Sequence, residues 1–221
     1  MRKNWMRAAA VAAAIFATAG AGRACGTGDI LFQDDFSTLE PTWGDPQGEY
    51  EVKDHKLVVS PEADYWRTVP SSANLYDDVD LCANVTTIAA VDADHSEVGA
   101  VFWYIDSDNF YLAEFAANGN AAVYRRQRAR WLQQIPWHST PLIKQNDGAV
   151  NEIRVVTAGN MATIYFNGTE FATIKGVPPS DGQQIGFYAS SPKDKAASYA
   201  FGDFSVRTPE SGGGSHSQGN Q

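Results

Sequence analysis

Apolar and polar residues alternate in short runs along most of this chain. Between Val79 and Val85, apolar side chains occupy every second position, and Asp80, Cys82 and Asn84 stand between them. Such alternation is typical of a β-strand with one face in the core and one face toward solvent. No long run with helical periodicity follows residue 24, and Asp, Asn, Gly and Pro separate runs rich in Val, Ile, Phe, Tyr and Thr. The pattern predicts an all-β protein.

Turn signals divide these runs into hairpins. Residues 49–60 predict a hairpin that turns at Lys53–His55. Residues 151–174 predict three strands joined at Gly159-Asn160 and at Asn167-Gly168. Asn-Gly between apolar runs is the strongest short-range hairpin signal. These segments therefore form a meander.

About a dozen predicted strands without a covering helix leave a two-sheet sandwich or a barrel. The stretches "FQDDFS" near the start and "FGDFSV" near the end share a pattern, which favours a sandwich closed by pairing of its terminal strands. That pairing would bring Asp34 or Asp35 near Asp203. We therefore consider a structural calcium ion at Asp35 and Asp203, beside the alternative of solvated acids, since calcium needs several oxygen ligands.

The first residues have the order of a secretory signal peptide. Basic residues precede an apolar segment at 8–20, and small residues follow at Gly22 and Ala24. We predict cleavage after Ala24 or Ala21. The apolar segment is too short to span a bilayer and no longer one follows it. We therefore expect an exported protein, secreted or periplasmic, with no transmembrane segment.

The domain organisation follows from the same pattern. Residues 1–24 are the predicted signal peptide, residues 25–208 one β-sandwich domain, and residues 209–221 a disordered tail rich in Gly and Ser.

The excess of acidic over basic residues disfavours some classes of binding partner. Of 17 Lys and Arg residues, four lie in residues 1–24, which leaves 13 against 26 Asp and Glu. A surface with this balance repels phosphate backbones and anionic lipid. We therefore expect no nucleic-acid partner.

The two cysteines, Cys25 and Cys82, predict a disulfide, because exported proteins mature in an oxidising compartment. The alternative is a lipoprotein whose first residue, Cys25, carries a lipid anchor. The preceding Gly22-Arg23-Ala24 lacks the aliphatic residue that such a processing site normally carries.

The ordered series of segments from residue 31 to 206 resembles the concanavalin A-like lectin and glucanase superfamily, in its laminin-G-like and keto-disaccharide-hydrolase-like branches. The stretches that carry the resemblance are "DDFS" followed by Trp43, "YEVKDHKLVV", "VGAVFWYIDSDNFYLAEF", "YRRQRARW", "NEIRVVTAGNMATIYFNGTEFATI", "IGFYA" and "FGDFSV". The resemblance implies an antiparallel jelly-roll sandwich. It also implies a concave sheet that holds carbohydrate in many relatives.

The catalytic motifs of that superfamily are not found in the sequence. Family 16 glycoside hydrolases carry Glu-x-Asp-x-x-Glu or a one-residue variant on a concave strand, and the keto-disaccharide-hydrolase branch carries Gly-Asn-Ser-Gly where this chain has "HSEVGAVF". We therefore expect a domain without catalytic activity. If the domain is an enzyme instead, Glu114 is the best single candidate for a catalytic acid. Asp94, His95 and Glu97 can be read as an acid-base or metal cluster, or as a polar loop.

Sugar binding needs flat aromatic faces together with polar side chains that hydrogen-bond hydroxyl groups. The stretch Val101–Phe115 combines both kinds around Asp106–Asn109, which predicts a four-residue hairpin connection. In the run "YRRQRARW", a single strand would point Arg126, Arg128 and Arg130 to one side, either toward an acidic polysaccharide or toward acids of the next strand. The predicted ligand-binding residues are Trp66, Trp103, Tyr111, Glu114, Arg126, Arg128, Trp131, Trp137 and His138.

Three functional hypotheses follow. The first is an exported, non-catalytic domain that binds a glycan or a cell-envelope polysaccharide. The second is a glycoside hydrolase or lyase with acids from scattered strands, and the third is an adhesion module that binds protein.

Overall fold

Fourteen β-strands and one short 3-10 helix make up the regular structure of residues 25–210. The computed structural model describes residues 25–210. In chain order the strands are β1 (Ile30–Asp34), β2 (Tyr50–Lys53), β3 (Lys56–Val59), β4 (Trp66–Tyr76), β5 (Asp80–Ala89), β6 (Glu97–Asp106), β7 (Asn109–Ala116), β8 (Asn120–Gln127), β9 (Arg130–Ser139), β10 (Val150–Ala158), β11 (Met161–Phe166), β12 (Thr169–Lys175), β13 (Gln183–Ser190) and β14 (Ser198–Arg207), and the helix is Pro41–Trp43. Among these residues no helix has the length and apolar character needed to cross a bilayer. The predicted signal peptide and residues 211–221 of the predicted tail lie outside the described range.

The strands form two antiparallel sheets. The eight-stranded sheet has the order β12-β11-β10-β5-β14-β3-β2, and β1 also pairs with β14. The six-stranded sheet has the order β4-β13-β6-β7-β8-β9. This arrangement confirms the predicted all-β, two-sheet sandwich. It also confirms that the terminal strands pair, with Asp34 opposite Phe204.

The two sheets meet in one apolar core. Phe187 of the six-stranded sheet stacks on Phe201 of the eight-stranded sheet, with ring centroids 4.1 Å apart. Trp43 stacks on the same Phe187 and donates its indole hydrogen to Asp34 over 2.7 Å. The helix that carries Trp43 therefore closes one end of the core and satisfies a buried carboxylate.

Hairpin turns lie where the sequence predicted them. Asp54 and His55 join β2 to β3, and Asn167 and Gly168 join β11 to β12, all with positive φ. Two-residue turns of this kind match the twist of the strands they join. Between β6 and β7 the structure differs from the prediction, because Asp106 pairs with Asn109 and the connection is only two residues long.

The basic run "YRRQRARW" is a hairpin and not one strand. Arg128–Ala129 form the turn between β8 and β9, both with positive φ. Arg126 therefore lies opposite Trp131. The predicted row of Arg126, Arg128 and Arg130 on one face is wrong, because the chain reverses within the run.

The polar side of β5 is covered and does not face solvent as the alternation predicted. Asp80 and Cys82 are both buried. Cys25 forms a disulfide with Cys82, which confirms the predicted pair, and uses the sulfur that a lipid anchor would need. Gly26 packs so closely on Asp80 that any side chain there would overlap the carboxylate. The N-terminal segment thus supplies the cover that a second sheet does not provide on this side.

Candidate functional site

The outer face of the six-stranded sheet is strongly concave. Strands β4 and β9 are its two edges, separated by five strand spacings. In a flat sheet that separation is about 24 Å, at about 4.8 Å per strand. Nevertheless Trp66 of β4 and Trp131 of β9 have ring centroids only 5.8 Å apart. The sheet must therefore curl so that its outer face becomes a trough.

An apolar floor lines this trough. Its buried residues form a cluster distinct from the core between the sheets, with Trp66 packed against it: Val101, Tyr104, Phe110, Leu112 and Tyr188. The Trp66 ring stacks on Tyr188 with ring centroids 6.0 Å apart. Such a second cluster is expected where a sheet uses both faces, because alternate side chains of each strand point to opposite sides.

Trp66, Arg126 and Trp131 together form what we call the aromatic bridge. The Arg126 guanidinium lies 4.9 Å from the centroid of Trp66 and 5.0 Å from that of Trp131. Cations over indole faces are attracted by the ring quadrupole. The bridge joins the two edges of the trough above its floor.

Contacts at the β6–β7 turn hold Arg126 in place. Its Nε donates to the carbonyl oxygen of Ser107 over 2.9 Å, and its Nη2 lies 3.4 Å from the Asp108 carboxylate. Two aromatic rings of the trough remain accessible beside it. Trp131 is 38% exposed, and Tyr65, which stacks on Trp66, is 55% exposed. Part of the surface of each of these two residues is thus available to a ligand at the bridge.

Glu114 is buried in the trough, although no described residue hydrogen-bonds its carboxyl group. It is 5% exposed, and it shares the outward side of β7 with Leu112. Its cross-strand neighbours are Gly99 and Ala122, which add at most a methyl group beside it. Burial raises the pKa of the Glu114 carboxyl well above its usual range, and the nearby charge of Glu97 raises it further. Burial therefore favours the protonated form of this carboxyl group.

Glu97 lies diagonally from Glu114 on the same face. Gly99 is directly opposite Glu114 and Glu97 is two residues away on the same strand, which puts the two glutamates about 7–8 Å apart at their Cα atoms. Ser190 of β13 donates a short hydrogen bond to the Glu97 carboxylate. Burial raises the pKa of Glu97, and the Ser190 hydrogen bond opposes that rise. The trough therefore holds two acids in different environments.

An open groove adjoins Glu97 at this end of the trough, and we call it the loop groove. Its volume is about 730 Å³, within the range of about 300–1,000 Å³ typical of small-molecule sites. It is bounded by the loops before β6 and after β13 and by the end of the loop before β4. The lining residues are Asp64, Val91, Asp92, His95, Glu97, Ser191, Pro192, Lys193, Asp194 and Lys195.

Two of the predicted ligand-binding rings belong to the core. Trp103 is 1% exposed and packs against Phe102 and Tyr111 between the sheets. A β-bulge with positive φ at Trp103 turns its side chain to the same side as Phe102. The Tyr111 hydroxyl accepts a hydrogen bond from the Val177 amide. Neither ring presents a face to a ligand, so these two predictions are corrected.

The remaining predicted residues are dispersed. Arg128 is exposed in the β8–β9 turn, and His138 stacks on Phe171 of the other sheet, away from the aromatic bridge. Trp137 is half-buried in β9, where the register between β8 and β9 shifts. Of the predicted set, the trough brings together Trp66, Glu114, Arg126 and Trp131.

Asp35 and Asp203, the two predicted calcium ligands, each accept a hydrogen bond from a different residue. Asp35 accepts a hydrogen bond from the Ser37 amide, and Asp203 accepts one from Asn84. Within residues 25–210, no group of three carboxylate, imidazole or thiol ligands contains Asp35 or Asp203. A calcium ion at Asp35 and Asp203 stays a prediction.

The loop before β6 contains Asp94 and His95 of the predicted acid-base or metal cluster, and these two residues bond to different partners. His95 pairs with Asp92 at 3.0 Å, whereas Asp94 accepts a hydrogen bond from Asn118. In the described part of the chain this loop contributes to no group of three potential ligands. It is a polar loop that forms one wall of the loop groove.

Sequence reasoning missed Tyr188, Ser190 and Tyr65. The alternation in "QQIGFYASS" could have shown that Tyr188 and Ser190 share a face. No local signal shows that this face lies beside Gly99 and Glu97, because β13 and β6 are far apart in the chain.

Comparisons with known proteins show the fold. No protein-family model and no curated protein matches the chain. The carbohydrate binding module CBM66 from Bacillus subtilis superposes with a TM-score of 0.56 at 15% identity, over 72% of this chain and 91% of the module. A protein of unknown function with a galectin-like fold, also from Bacillus subtilis, gives 0.60 at 11% identity, over 82% and 96%. The GH43 protein BlXynB from Bacillus licheniformis gives 0.61 at 13% identity, over 80% of this chain and 39% of that protein. The chain therefore has a concanavalin A-like jelly-roll fold.

Proposed function

We propose that this protein is an exported carbohydrate-binding protein that holds a neutral glycan in the trough of its six-stranded sheet. The observation that carries the proposal is the aromatic bridge, in which Trp66 and Trp131 reach across from opposite edges of the sheet. The apolar faces of sugar rings stack on indole and phenol rings, and nearby polar groups bind their hydroxyls. Tyr65 and Trp131 offer exposed ring surface for such stacking.

Several properties support a glycan over other ligands. The chain has a formal net charge of -9, which disfavours phosphate-rich partners. The neighbouring structures include a carbohydrate binding module that matches over most of its length. The disulfide supports export, because such bonds persist in oxidising compartments.

Trp131→Ala is expected to weaken glycan binding about 30-fold or more, because buried aromatic anchors contribute about 2 kcal/mol or more at binding sites. Binding is measured by affinity electrophoresis in gels that contain soluble β-glucan, xylan or mannan, followed by calorimetry on the polysaccharide that retards the protein. Leu132→Ala is the matched control, since Leu132 is equally exposed on the same strand but belongs to neither apolar cluster. Equal losses in both variants would contradict a role for the indole ring.

A second function, glycoside hydrolysis, is supported by the two glutamates of the trough. The protonated Glu114 can donate its proton to the glycosidic oxygen as the bond to the anomeric carbon breaks. The Glu97 carboxylate can accept a proton from the water that adds to that carbon, so that one water molecule is consumed for each bond. Glu97 and Glu114 share one face of the sheet on neighbouring strands, and an inverting enzyme would need their carboxyl groups about 6.5–9.5 Å apart.

If the protein is a hydrolase, Glu114→Gln is expected to reduce the release of reducing sugar at least about 100-fold, because the amide cannot donate a proton to the leaving oxygen. The affinity for the polysaccharide should change by less than about threefold, since the amide is nearly isosteric. The release of reducing sugar is measured with the polysaccharides that retard the protein in affinity electrophoresis. A wild-type protein that binds but releases no sugar would exclude the second function and leave the first.

A further inference from the structure

We infer that the loop groove binds a second sugar unit, so that the ligand is a neutral oligosaccharide of at least two units that extends from the aromatic bridge past Glu97. This inference rests on the proposed glycan binding in the trough and specifies the length and position of the ligand. The aromatic bridge and the loop groove are then two subsites of one site.

The groove begins where the aromatic surface ends. Tyr65 stacks on Trp66 of the bridge, and the preceding residue, Asp64, lines the groove. Glu97 lines the groove and is also electrostatically coupled to Glu114 in the trough. A chain of sugar rings that stacks on Tyr65 can therefore continue into the groove without leaving the surface.

The groove has a preformed wall. The Asp64 amide donates to the carbonyl of Pro192, and the Ser191 amide donates to the carbonyl of Tyr65, over 3.0 and 2.8 Å. The buried Ser191 hydroxyl donates to Pro61 over 2.7 Å and accepts from the Ala197 amide over 2.9 Å. These bonds tie the loop before β4 to the loop after β13. Ordering loops on binding reduces the affinity for a ligand. Because these two segments are already bonded to each other, a ligand does not incur that cost here.

The polar groups of the groove suit hydroxyl groups better than a charged substituent. Within residues 25–210, the side chains of Asp64, Lys193, Asp194 and Lys195 take part in no ion pair. The groove as a whole has more acids than lysines, which disfavours an anionic ligand. Mixed donors and acceptors of this kind bind sugar hydroxyls, each of which both donates and accepts. A uronic acid would meet four acids, Asp64, Asp92, Glu97 and Asp194, against two lysines.

The test is a series of calorimetric titrations with cello-, xylo- and laminari-oligosaccharides, from monosaccharide to hexasaccharide. In the series that binds, the affinity is expected to rise about tenfold or more between the monosaccharide and the trisaccharide and then to level off. The double variant Lys193→Ala, Asp194→Ala should lose that gain and keep the wild-type affinity for the monosaccharide. Lys175→Ala, an exposed lysine on β12, is the control and should behave as the wild type.

The outcomes separate this inference from the function on which it rests. Binding that does not depend on chain length, or a double variant that keeps the full gain, overturns the second subsite and leaves glycan binding in the trough intact. If none of the three series binds and none of the polysaccharide gels retards the protein, the proposed binding of neutral glycans fails, and the second subsite fails with it. If Trp131→Ala keeps wild-type affinity while the double variant loses the gain, the groove binds sugar and the role of the bridge is wrong.

Discussion

Cys25→Ser is expected to lower the free energy of unfolding by about 4 kcal/mol, because the chain-entropy model predicts that value for a loop of this size. The disulfide to Cys82 closes a loop with a sequence separation of 57 residues. It also anchors the segment that covers the buried side of β5. Urea denaturation under oxidising conditions measures the difference.

The reductant provides the internal control for this prediction. Dithiothreitol should lower the stability of the wild type to that of Cys25→Ser and leave the variant unchanged. A wild type that does not respond to dithiothreitol, with two titratable thiols under oxidising conditions, would show that the bond does not form. A mass two hydrogens below that of the reduced mature chain would identify the disulfide and exclude a lipid on Cys25.

Asp80→Ala is expected to destabilise the fold by about 3 kcal/mol, because it removes a buried carboxylate that accepts two charge-assisted hydrogen bonds from Arg154. Asp80 is 0% exposed, and its two carboxylate oxygens accept hydrogen bonds from Nε and Nη2 of Arg154 over 2.7 and 2.6 Å. Those bonds raise the pKa of Arg154, so the guanidinium stays charged. Thermal and urea unfolding at neutral pH measure the loss.

Asp181→Ala is the control for Asp80→Ala, because Asp181 is an exposed acid in the loop before β13. Its removal is expected to change the stability by less than about 0.5 kcal/mol. A loss at Asp80 no larger than the loss at Asp181 would contradict the importance of the buried pair.

The two proposed functions, glycan binding and glycoside hydrolysis, would depend on different parts of the trough. Stacking depends on the indoles of the aromatic bridge, which lie at the edges of the sheet. Proton transfer depends on Glu114, which lies near the centre of the sheet with a raised pKa. Trp131→Ala and Glu114→Gln therefore probe separate properties. Together they distinguish a binding domain from an enzyme on the same fold.

The sequence by itself determined the class of fold and much of its local structure. Alternation predicted the strands, and Asn-Gly and Asp-His predicted turns, because strands and turns depend on residues that are close in the chain. The disulfide was predictable because two cysteines allow a single pairing. The terminal pairing of β1 with β14 was also predictable, from the repeated pattern around Phe36 and Phe204.

Only the tertiary structure decided which side chains share the trough. Alternation assigns two faces to a strand, but it does not say which face meets the core, and the bulge at Trp103 moved a predicted ligand-binding ring into the core. Trp66 and Trp131 meet because the sheet curls, which brings its two edge strands together. Glu97 and Glu114 become neighbours through the register of β6 on β7. Curvature and register depend on the packing of the whole sheet, and no local stretch of sequence specifies them.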